Sequence, residues 1–491
     1  MQAKDAGCMP GTRRGVLAKF FDWVKHNPKG MLWLAGMAGT GKTSIAVSLC
    51  RMLEEDPETL LGGSFFCSRT VNMVARTDVR RILPTLASSL AKKSSEFASE
   101  LATAELKPDV ARGPVSDQIL PLFLRPLVAL AAETRPIVFV IDALDECGDE
   151  RELEDLLSAI TTLKTKANVK FILTSRPETS MLGIPVSDGA QSDFFQLHVI
   201  DKAEVTDDIH RYIAERFSKN RLAKSWYTEA DVAALATLAG GLFIFASTIA
   251  SYVLDAKSVV SRTTRLQKAV SAASESTVAM GPLDAVYEFV LTRASDMTKI
   301  EPHEREAMQR SLACILAARM PFSAEGLAEL LGVDVDFLRE SFLRLRAAVH
   351  VPEEDNEPGV QTLHATFGDY LFQRAPVELR LPASLGNETL ARGCLDVMRD
   401  RLRFNVSECS TSYEQDPPSI PGSIPLALQY ACLHWIYHIS GIPEPSKLDQ
   451  EISEVFLSGF LYWLEVMSVL GMVRRAAIML HFAAATVRHP S

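Results

Sequence analysis

The amino-acid sequence predicts an α-rich multidomain protein whose first large domain is α/β, with a parallel sheet and helices on both faces. Up to about residue 200, apolar runs typical of buried parallel strands alternate with stretches of helical periodicity. Beyond residue 202, strand patterns nearly vanish and helical patterns dominate. The chain has 491 residues, too many for a single hydrophobic core. We therefore expect several packed domains, with the sheet domain first.

Composition and charge indicate which kinds of binding partner the chain is suited to. The chain carries 61 acidic and 51 basic residues, a net charge of −10, which argues against nucleic acid or an anionic membrane as the main partner. Its eight cysteines include no CxxC pair, and most lie in apolar runs where we expect small core residues. The N-terminal residues lack the apolar core of a signal peptide. We expect a cytoplasmic protein in a reducing compartment.

The first chemical motif follows a predicted helix over residues 13–27 and a predicted strand over residues 31–35. The strand leads into GMAGTGKT, residues 36–43, and helical spacing then continues. A strand, a glycine loop and a helix in this order form a phosphate site, because successive backbone N–H groups and the helix N-terminus face an anion. The residues that we expect to hold a nucleotide are Gly36, Gly39, Thr40, Gly41, Lys42, Thr43 and Ser44.

Two side chains carry the chemistry of this loop. The Lys42 ammonium is expected to reach the β- and γ-phosphates and so to act in catalysis. The Thr43 hydroxyl is expected to ligate Mg²⁺. The alternative is a glycine-rich turn that binds nothing, and the flanking strand and helix argue against it.

A second motif ends the unbroken apolar run of residues 136–142. Asp142 stands at the carboxyl end of this predicted strand, where a phosphate-binding α/β fold holds Mg²⁺ directly or through water. Asp145 and Glu146 follow, and either can polarise the attacking water as general base; the sequence leaves the choice open. The alternative is an acidic helix N-terminus, which the helix dipole favours.

A third motif ends the predicted strand of residues 169–174. Arg176 follows it, and an arginine at a strand end beside the phosphates can sense the γ-phosphate with its fork of donors. The alternative is a surface arginine held by a helix cap. Residues 62–67 and 194–199 predict further strands, and residues 79–91 and 118–132 predict helices.

The remaining chain predicts mostly helices. Residues 232–254 lack charge and are long enough to span a bilayer, but the glycine pair Gly240-Gly241 favours two helices broken at a hinge. Residues 258–281 are rich in Ser, Thr and Ala and predict a loosely packed crossing. The predicted helices are residues 205–217, 228–238, 242–254, 283–297, 304–318, 385–401, 424–439 and 451–485.

A winged helix is predicted near residue 321. Helices over residues 323–331 and 335–345 precede two strand-like segments, residues 348–351 and 360–363. Such domains often bind DNA, but residues 321–351 carry five acidic against three basic side chains, the wrong sign for phosphate contacts. We expect the wing to pack on the nucleotide domain.

Together these motifs resemble the NACHT NTPases in the version common in fungi, NLR-like members of the STAND class of signalling P-loop ATPases. The resemblance rests on five motifs in order, at residues 36–43, 137–147, 172–177, 240–247 and 363–371. It implies a P-loop domain over residues 31–200 after a lead-in segment over residues 1–30. A helical domain (201–300), a winged helix (301–375) and a C-terminal helical region (376–491) would follow. Members usually carry an effector domain before this module and repeats after it. We expect this sequence to be either a fragment of a longer protein or a short member that acts in trans on fuller partners.

The resemblance also implies a switch. Bound ADP would close the protein, and exchange for ATP with Mg²⁺ would open it for assembly with copies of itself or with related proteins, in non-self recognition or regulated cell death. His364 would contact the β-phosphate of ADP, Arg176 would sense the γ-phosphate, and Arg13 would touch the base. From residue chemistry alone, His364 would be a capping or core histidine. GTP is an alternative nucleotide, because the sequence has no NKxD guanine motif but the family's base pocket is permissive.

Two other functions compete with this one. A small-molecule kinase would share the phosphate loop, but the long helical region after it exceeds what a lid requires. A degenerate scaffold would bind nucleotide without turnover, and the intact Lys42, Thr43, Asp142 and Glu146 argue against it.

Overall fold

The computed structural model describes residues 7–27, 30–68, 74–103, 110–130, 133–147, 150–166, 169–176, 194–196, 202–219, 226–256, 258–275, 282–294, 301–343, 345–352, 359–408 and 424–488. The chain divides into two compact units, Met1–Val286 and Tyr287–Ser491. Each unit has its own buried side chains.

The first unit contains a five-stranded sheet in which all neighbouring strands are parallel. Its order is β2-β3-β4-β1-β5. Every residue of β3 and β4 is buried, as the apolar runs of both segments predict. The parallel α/β sheet expected from the sequence is therefore confirmed. The strands are β1 Gly30–Ala35, β2 Leu60–Phe66, β3 Ile137–Asp142, β4 Val169–Ser175 and β5 Phe194–Gln196.

Helices cover both faces of this sheet. Leu34, Val140 and Ile172 on one face pack in a core with helices α1 and α2, whereas Phe139 and Phe171 on the other stack at a centroid distance of 5.3 Å in a core with α4 and α7. The helices of the first unit are α1 Arg14–His26, α2 Lys42–Glu55, α3 Val74–Thr77, α4 Ile82–Ala91, α5 Ser95–Thr103, α6 Val115–Ile119, α7 Glu150–Lys166, α8 Lys202–Ser218, α9 Glu229–Leu238, α10 Phe243–Leu254 and α11 Val259–Glu275.

Two segments of this unit differ from their sequence-based prediction. The loosely packed crossing predicted over residues 258–281 is wrong, because residues 259–275 form helix α11. Leu266 and Ala269 of α11 are buried, and the Arg262 guanidinium donates to the carbonyls of Leu254 and Ala256 at the end of α10. These tertiary contacts outweigh the weak helix propensity of the Ser and Thr residues.

The helix predicted over residues 118–132 is also divided. It begins earlier as α6, passes into a π-helical segment over residues 120–124, and ends as a 3₁₀ segment over residues 126–130. Pro121 and Pro126 lie in these two segments, and each lacks the N–H that an α-helix needs. By contrast, the break predicted at Gly240-Gly241 is confirmed, since both residues take positive φ angles between α9 and α10.

In its described residues, the second unit is helical apart from one short antiparallel pair, in which Val349 faces Thr362, and an isolated bridge between Phe322 and Val360. The two helices and the strand pair predicted near residue 321 are present, and their assignment as a winged helix stays a prediction. The helix predicted over residues 451–485 is two helices, because Gly471 takes φ +66°. The elements are α12 Pro282–Ala294, which begins in the first unit, α13 Pro302–Ala317, α14 Ala324–Leu331, α15 Val335–Leu343, β6 Val349–His350, β7 Gln361–Thr362, α16 Ala365–Asp369, α17 Leu385–Arg401, α18 Leu426–Ser440, α19 Asp449–Val469 and α20 Val473–Arg488.

One helical stretch in the described part of the chain, Pro445–Val469, is long and apolar enough to cross a bilayer by length and composition alone. Core helices of water-soluble proteins meet the same criterion, so this stretch is weak evidence for a span.

Helix α18 buries two histidines. The His438 imidazole is fully buried between the Tyr430 hydroxyl, 2.7 Å from Nε2, and the Asn387 amide oxygen, 2.9 Å from Nδ1. His434 is 7% exposed. Burial lowers the pKa of each imidazole to about 3, with nearby arginines adding to the effect.

We therefore predict that acid destabilises the second unit. The unfolded chain binds a proton at each imidazole below about pH 6.5 and the folded chain does not until about pH 3. Stability is thus fully present above pH 6.5 and is lost as pH falls, by up to about 1.4 kcal/mol per pH unit for each histidine. Thermal unfolding between pH 7 and 4.5 measures this.

The matched control is His303→Gln, at an exposed position. It should keep the wild-type pH dependence, whereas a His434→Gln/His438→Gln variant should lose much of it. An unchanged slope in the double variant would show that other groups govern the acid response.

Candidate nucleotide-binding site

The glycine loop connects β1 to α2 as the sequence predicts. Gly41 takes φ +89° immediately before Lys42 opens the helix, and Gly39 takes φ +81°. A Cβ atom on Gly39 would also lie 2.1 Å from the Ile244 Cγ2 atom. Both positions therefore require glycine, one for its backbone angle alone and the other for angle and space. Such a tight curve is the backbone geometry in which successive N–H groups can hold an anion.

The Lys42 side chain folds back over the same loop. Its ammonium donates to the carbonyl oxygens of Gly36 at 2.6 Å and Met37 at 3.1 Å. Burial lowers the pKa of Lys42, while the negative charges of Asp145 and Asp142 oppose the shift. The ammonium therefore lies on the glycine loop, and its contact with phosphate oxygens stays a prediction.

Asp142 ends β3 and is 1% exposed. The Thr174 hydroxyl donates to Asp142 Oδ1 at 2.6 Å, and the Thr43 hydroxyl also forms a hydrogen bond with this carboxylate. Burial raises the pKa of Asp142, and these two hydrogen bonds oppose the rise. The contact confirms that Thr43 and Asp142, predicted from separate motifs, lie together.

Thr43 and Asp142 fit a magnesium ion that the nucleotide helps to hold. Mg²⁺ prefers octahedral oxygen coordination and keeps waters beside one or two protein ligands and substrate phosphates. Within the described ranges, no group of three or more His, Cys, Asp or Glu side chains is arranged to hold a metal. A hydroxyl and a carboxylate beside a phosphate cradle suit an ion brought by a nucleotide better than a resident metal.

The carboxylates of Asp145 and Glu146 occupy different positions. Asp145 accepts the Arg176 N–H through Oδ1 at 3.0 Å and forms an ion pair with Arg176 Nε through Oδ2 at 3.2 Å. Asp145 therefore orients the arginine predicted to sense the γ-phosphate. Glu146 ends the 3₁₀ turn Leu144–Glu146 one residue further and is half-buried. This arrangement makes Asp145 the residue that orients Arg176, and the assignment of Glu146 as the general base stays a prediction.

Thr174 also supports the backbone next to the carboxylate. Its hydroxyl accepts the Ala143 N–H at 2.9 Å while it donates to Asp142. Ala143 takes φ +55°, a left-handed angle unusual for a residue with a side chain. One hydroxyl therefore orients the buried carboxylate and helps hold the start of the turn that carries Asp145 and Glu146.

Arg13 reaches the loop from the N-terminal segment. Its N–H donates to Asp208 Oδ2 at 2.8 Å, its guanidinium donates to the Thr40 carbonyl at 2.7 Å, and its Cζ lies 4.8 Å from the centre of the Phe243 ring. The residue is 3% exposed, and burial lowers its pKa while Asp208 opposes the shift. Arg13 thus binds the phosphate loop itself; contact with a base stays a prediction.

The start of α10 also joins the loop. The Ile244 N–H donates to the Gly39 carbonyl at 3.1 Å. Sequence reasoning gave no role to Thr174, Asp208, Phe243 or Ile244, although the motifs at residues 172–177 and 240–247 contain three of them. Only the apolar start after Gly240-Gly241 was a local signal, and the other contacts depend on distant segments.

The other predicted residues are placed as follows. Gly36 is buried, and its N–H donates to the Ser175 carbonyl at 3.2 Å. Ser44 lies in the first turn of α2 and is half-buried. His364 lies in the second unit at the position preceding α16, where its side chain makes no capping hydrogen bond, and its contact with ADP stays a prediction. The proline after Arg176 lies outside the described residues.

Known proteins resemble the part of the chain that carries these residues. The family described as Nephrocystin 3, N-terminal, matches residues 12–176, which include the glycine loop, Asp142 and Arg176. The vegetative incompatibility protein HET-E-1 of Podospora anserina is 23% identical over 518 residues, covering 96% of this chain. These two matches support the NACHT-type P-loop NTPase predicted from the sequence. The chain spans only 36% of the length of HET-E-1.

Two solved structures share low similarity with this chain. The Walker-type ATPase of Pyrococcus abyssi has 14% identity and a TM-score of 0.31, covering 72% of this chain and 93% of its own. Cdc6p of Pyrobaculum aerophilum has 14% identity and a TM-score of 0.33. The match covers 78% of this chain and 94% of the Cdc6p chain.

The different positions of the two carboxylates generate a prediction. Glu146→Gln should keep nucleotide affinity but slow hydrolysis by about 100-fold, because it removes the general base. Asp145→Asn should slow hydrolysis less, by about tenfold, because Arg176 keeps its backbone hydrogen bond to the side chain. Single-turnover hydrolysis, with nucleotide affinity measured separately, distinguishes the two variants. The reverse order of effects would make Asp145 the base.

Proposed function

We propose that this chain is a nucleotide-controlled switch of the STAND type, which binds ATP and ADP with Mg²⁺, hydrolyses ATP slowly and assembles in its ATP form. Lys42, Thr43 and Asp142 would hold the nucleotide and its metal, Arg176 would sense the γ-phosphate, and Glu146 would direct the attacking water. The bound Mg²⁺ would neutralise charge on the phosphates. ATP is the expected nucleotide and GTP the alternative.

One observation carries this proposal. The phosphate loop is held by parts of the chain outside the sheet, through the Ile244 N–H on Gly39 and the Arg13 guanidinium on Thr40. A ligand that rearranges the loop therefore also acts on the start of α10 and on the N-terminal segment. A nucleotide shifts such an arrangement by as much as its affinities for the two states differ.

The biological role rests on the relative. HET-E-1 is named a vegetative incompatibility protein, which supports a role for this chain in non-self recognition or regulated cell death. Such a role also suits assembly with copies of itself or with related NLR-like proteins.

The switch is tested by size-exclusion chromatography with light scattering in ADP or in a non-hydrolysable ATP analogue, each with Mg²⁺. We expect a monomer with ADP and large species with the analogue. Lys42→Ala should lower nucleotide affinity by at least about 100-fold, or about 2.7 kcal/mol, and abolish assembly. Lys92→Ala, at an exposed lysine after α4, is the matched control.

Two outcomes would contradict the proposal. Equal binding of both nucleotides without assembly would indicate a scaffold or a simple enzyme, and wild-type affinity in Lys42→Ala would show that the site is wrong.

The role implied for His364 has its own test. His364→Ala should weaken ADP binding by about tenfold and leave the ATP analogue nearly unaffected, because the imidazole is assigned to the closed, ADP-bound state. Isothermal titration with each nucleotide measures the difference. Equal loss for both, or no loss, would remove His364 from the switch.

A further inference from the structure

Two buried cysteines beside the nucleotide site are bonded to each other. Cys67 and Cys147 form a disulfide with Cα atoms 5.8 Å apart, across a sequence separation of 80 residues. They are 4% and 3% exposed. The sequence predicts that most cysteines are small core residues, and it does not predict this bond. Cys394 and Cys432, also buried, remain free thiols.

The disulfide joins the end of strand β2 to the turn that carries the carboxylates of Asp145 and Glu146. Cys67 is the first residue after the edge strand β2, and its N–H donates to the Asp142 carbonyl at 3.0 Å. Cys147 directly follows Glu146, and its N–H donates to the Leu144 carbonyl at 3.1 Å. The disulfide therefore fastens the end of the turn that carries Asp145 and Glu146 to the edge of the sheet.

The surroundings also suit the reduced state. The Cys147 sulfur lies 3.6 Å from the Arg76 carbonyl oxygen, so a Cys147 thiol has an acceptor for its proton. Reduction therefore leaves this thiol with a hydrogen-bond partner. The bond can break without a large penalty from unsatisfied polar groups.

We infer that Cys67 and Cys147 are a redox modification site, a reversible dithiol–disulfide pair that controls the turn carrying Asp145 and Glu146. The disulfide fixes this turn, and reduction leaves it held by its backbone hydrogen bonds and by the Arg176 ion pair. The effect on hydrolysis rests on the proposed function. A general base held in place reacts faster than one that samples several positions, so the oxidised protein is the faster enzyme.

The exchange balances with a small-molecule disulfide such as oxidised glutathione. Local opening of the turn exposes one thiolate, which attacks the glutathione disulfide, forms a mixed disulfide and releases one glutathione thiolate. The second cysteine thiolate then attacks the cysteine sulfur of the mixed disulfide and releases the second glutathione thiolate. Two protein thiols are oxidised to one disulfide, the glutathione disulfide is reduced to two thiols, and the two protons pass to the released glutathione. Excess reduced glutathione reverses both steps.

The first experiment measures the bond itself. The full chain is equilibrated in buffers of different ratios of reduced to oxidised glutathione, its free thiols are alkylated, and its peptides are identified by mass spectrometry. We expect a linked peptide pair containing Cys67 and Cys147 in oxidising buffers that disappears in reducing ones. No linked pair at any ratio, or a pair that never reduces, would overturn the proposal.

The second experiment measures the consequence. Single-turnover hydrolysis should be at least about threefold slower in the reduced protein. Cys67→Ala and Cys147→Ala should each hydrolyse at the rate of the reduced wild type. Their rates should not change with the ratio of reduced to oxidised glutathione. Cys8→Ser, at a half-buried free thiol, should respond to the buffer like the wild type. Equal rates in the oxidised and reduced wild type would overturn control of hydrolysis, and this comparison needs no substitution.

A third readout separates this inference from the proposed function. Hydrogen exchange of amides 143–147 should be faster in the reduced protein by on the order of tenfold, whether or not nucleotide is hydrolysed. If no state hydrolyses ATP, the proposed function fails while faster exchange still supports a redox-controlled turn. Equal exchange in both states would overturn the inference even in an active enzyme.

Discussion

The placement of β4 between β1 and β3 is the constraint on which the nucleotide site depends. Neighbouring parallel strands lie about 4.8 Å apart, so the strand that leads into the glycine loop and the strand that ends in Asp142 are about 10 Å apart. The residues at the end of β4 fill this gap. Thr174 connects to Asp142, the Ser175 carbonyl accepts the Gly36 N–H, and Arg176 pairs with Asp145. The strand order thus brings three sequence motifs together at the carboxyl ends of β1, β3 and β4.

The parts of this site that sequence could predict are those with local signals. The glycine loop needs φ angles that glycine provides, and β3 is a run of buried apolar residues with a carboxylate at its end. The choice between Asp145 and Glu146 had no local signal, because it depends on Arg176, thirty-one residues away in sequence. Thr174 was equally hidden, since any polar residue can end a strand. The pairing of Cys67 with Cys147 depends on the adjacency of β2 and β3.

Outside the site, the prediction failed where tertiary contacts outweigh composition. The Ser- and Thr-rich segment of α11 forms a helix because Leu266 is buried and Arg262 binds the end of α10. Helix α7 was not predicted, although Leu153, Leu156 and Ile160 follow helical spacing and are buried in the core of the sheet. That spacing was visible in the sequence, so helix α7 could have been predicted. Helix α11 could not, because it depends on contacts that exist only in the folded chain.

The hydrogen bonds of the loop carbonyls allow a nucleotide to bind while the loop keeps its contact with helix α10. Lys42 binds the carbonyls of Gly36 and Met37, Ile244 binds that of Gly39, and Arg13 binds that of Thr40. Phosphate oxygens accept hydrogen bonds and so compete with these carbonyls for donors. The Lys42 ammonium is on a flexible stem and can change partners, whereas the Ile244 N–H belongs to a helix backbone. Phosphate binding can therefore redirect Lys42 while the loop stays attached to α10, which keeps any movement of the loop coupled to that helix.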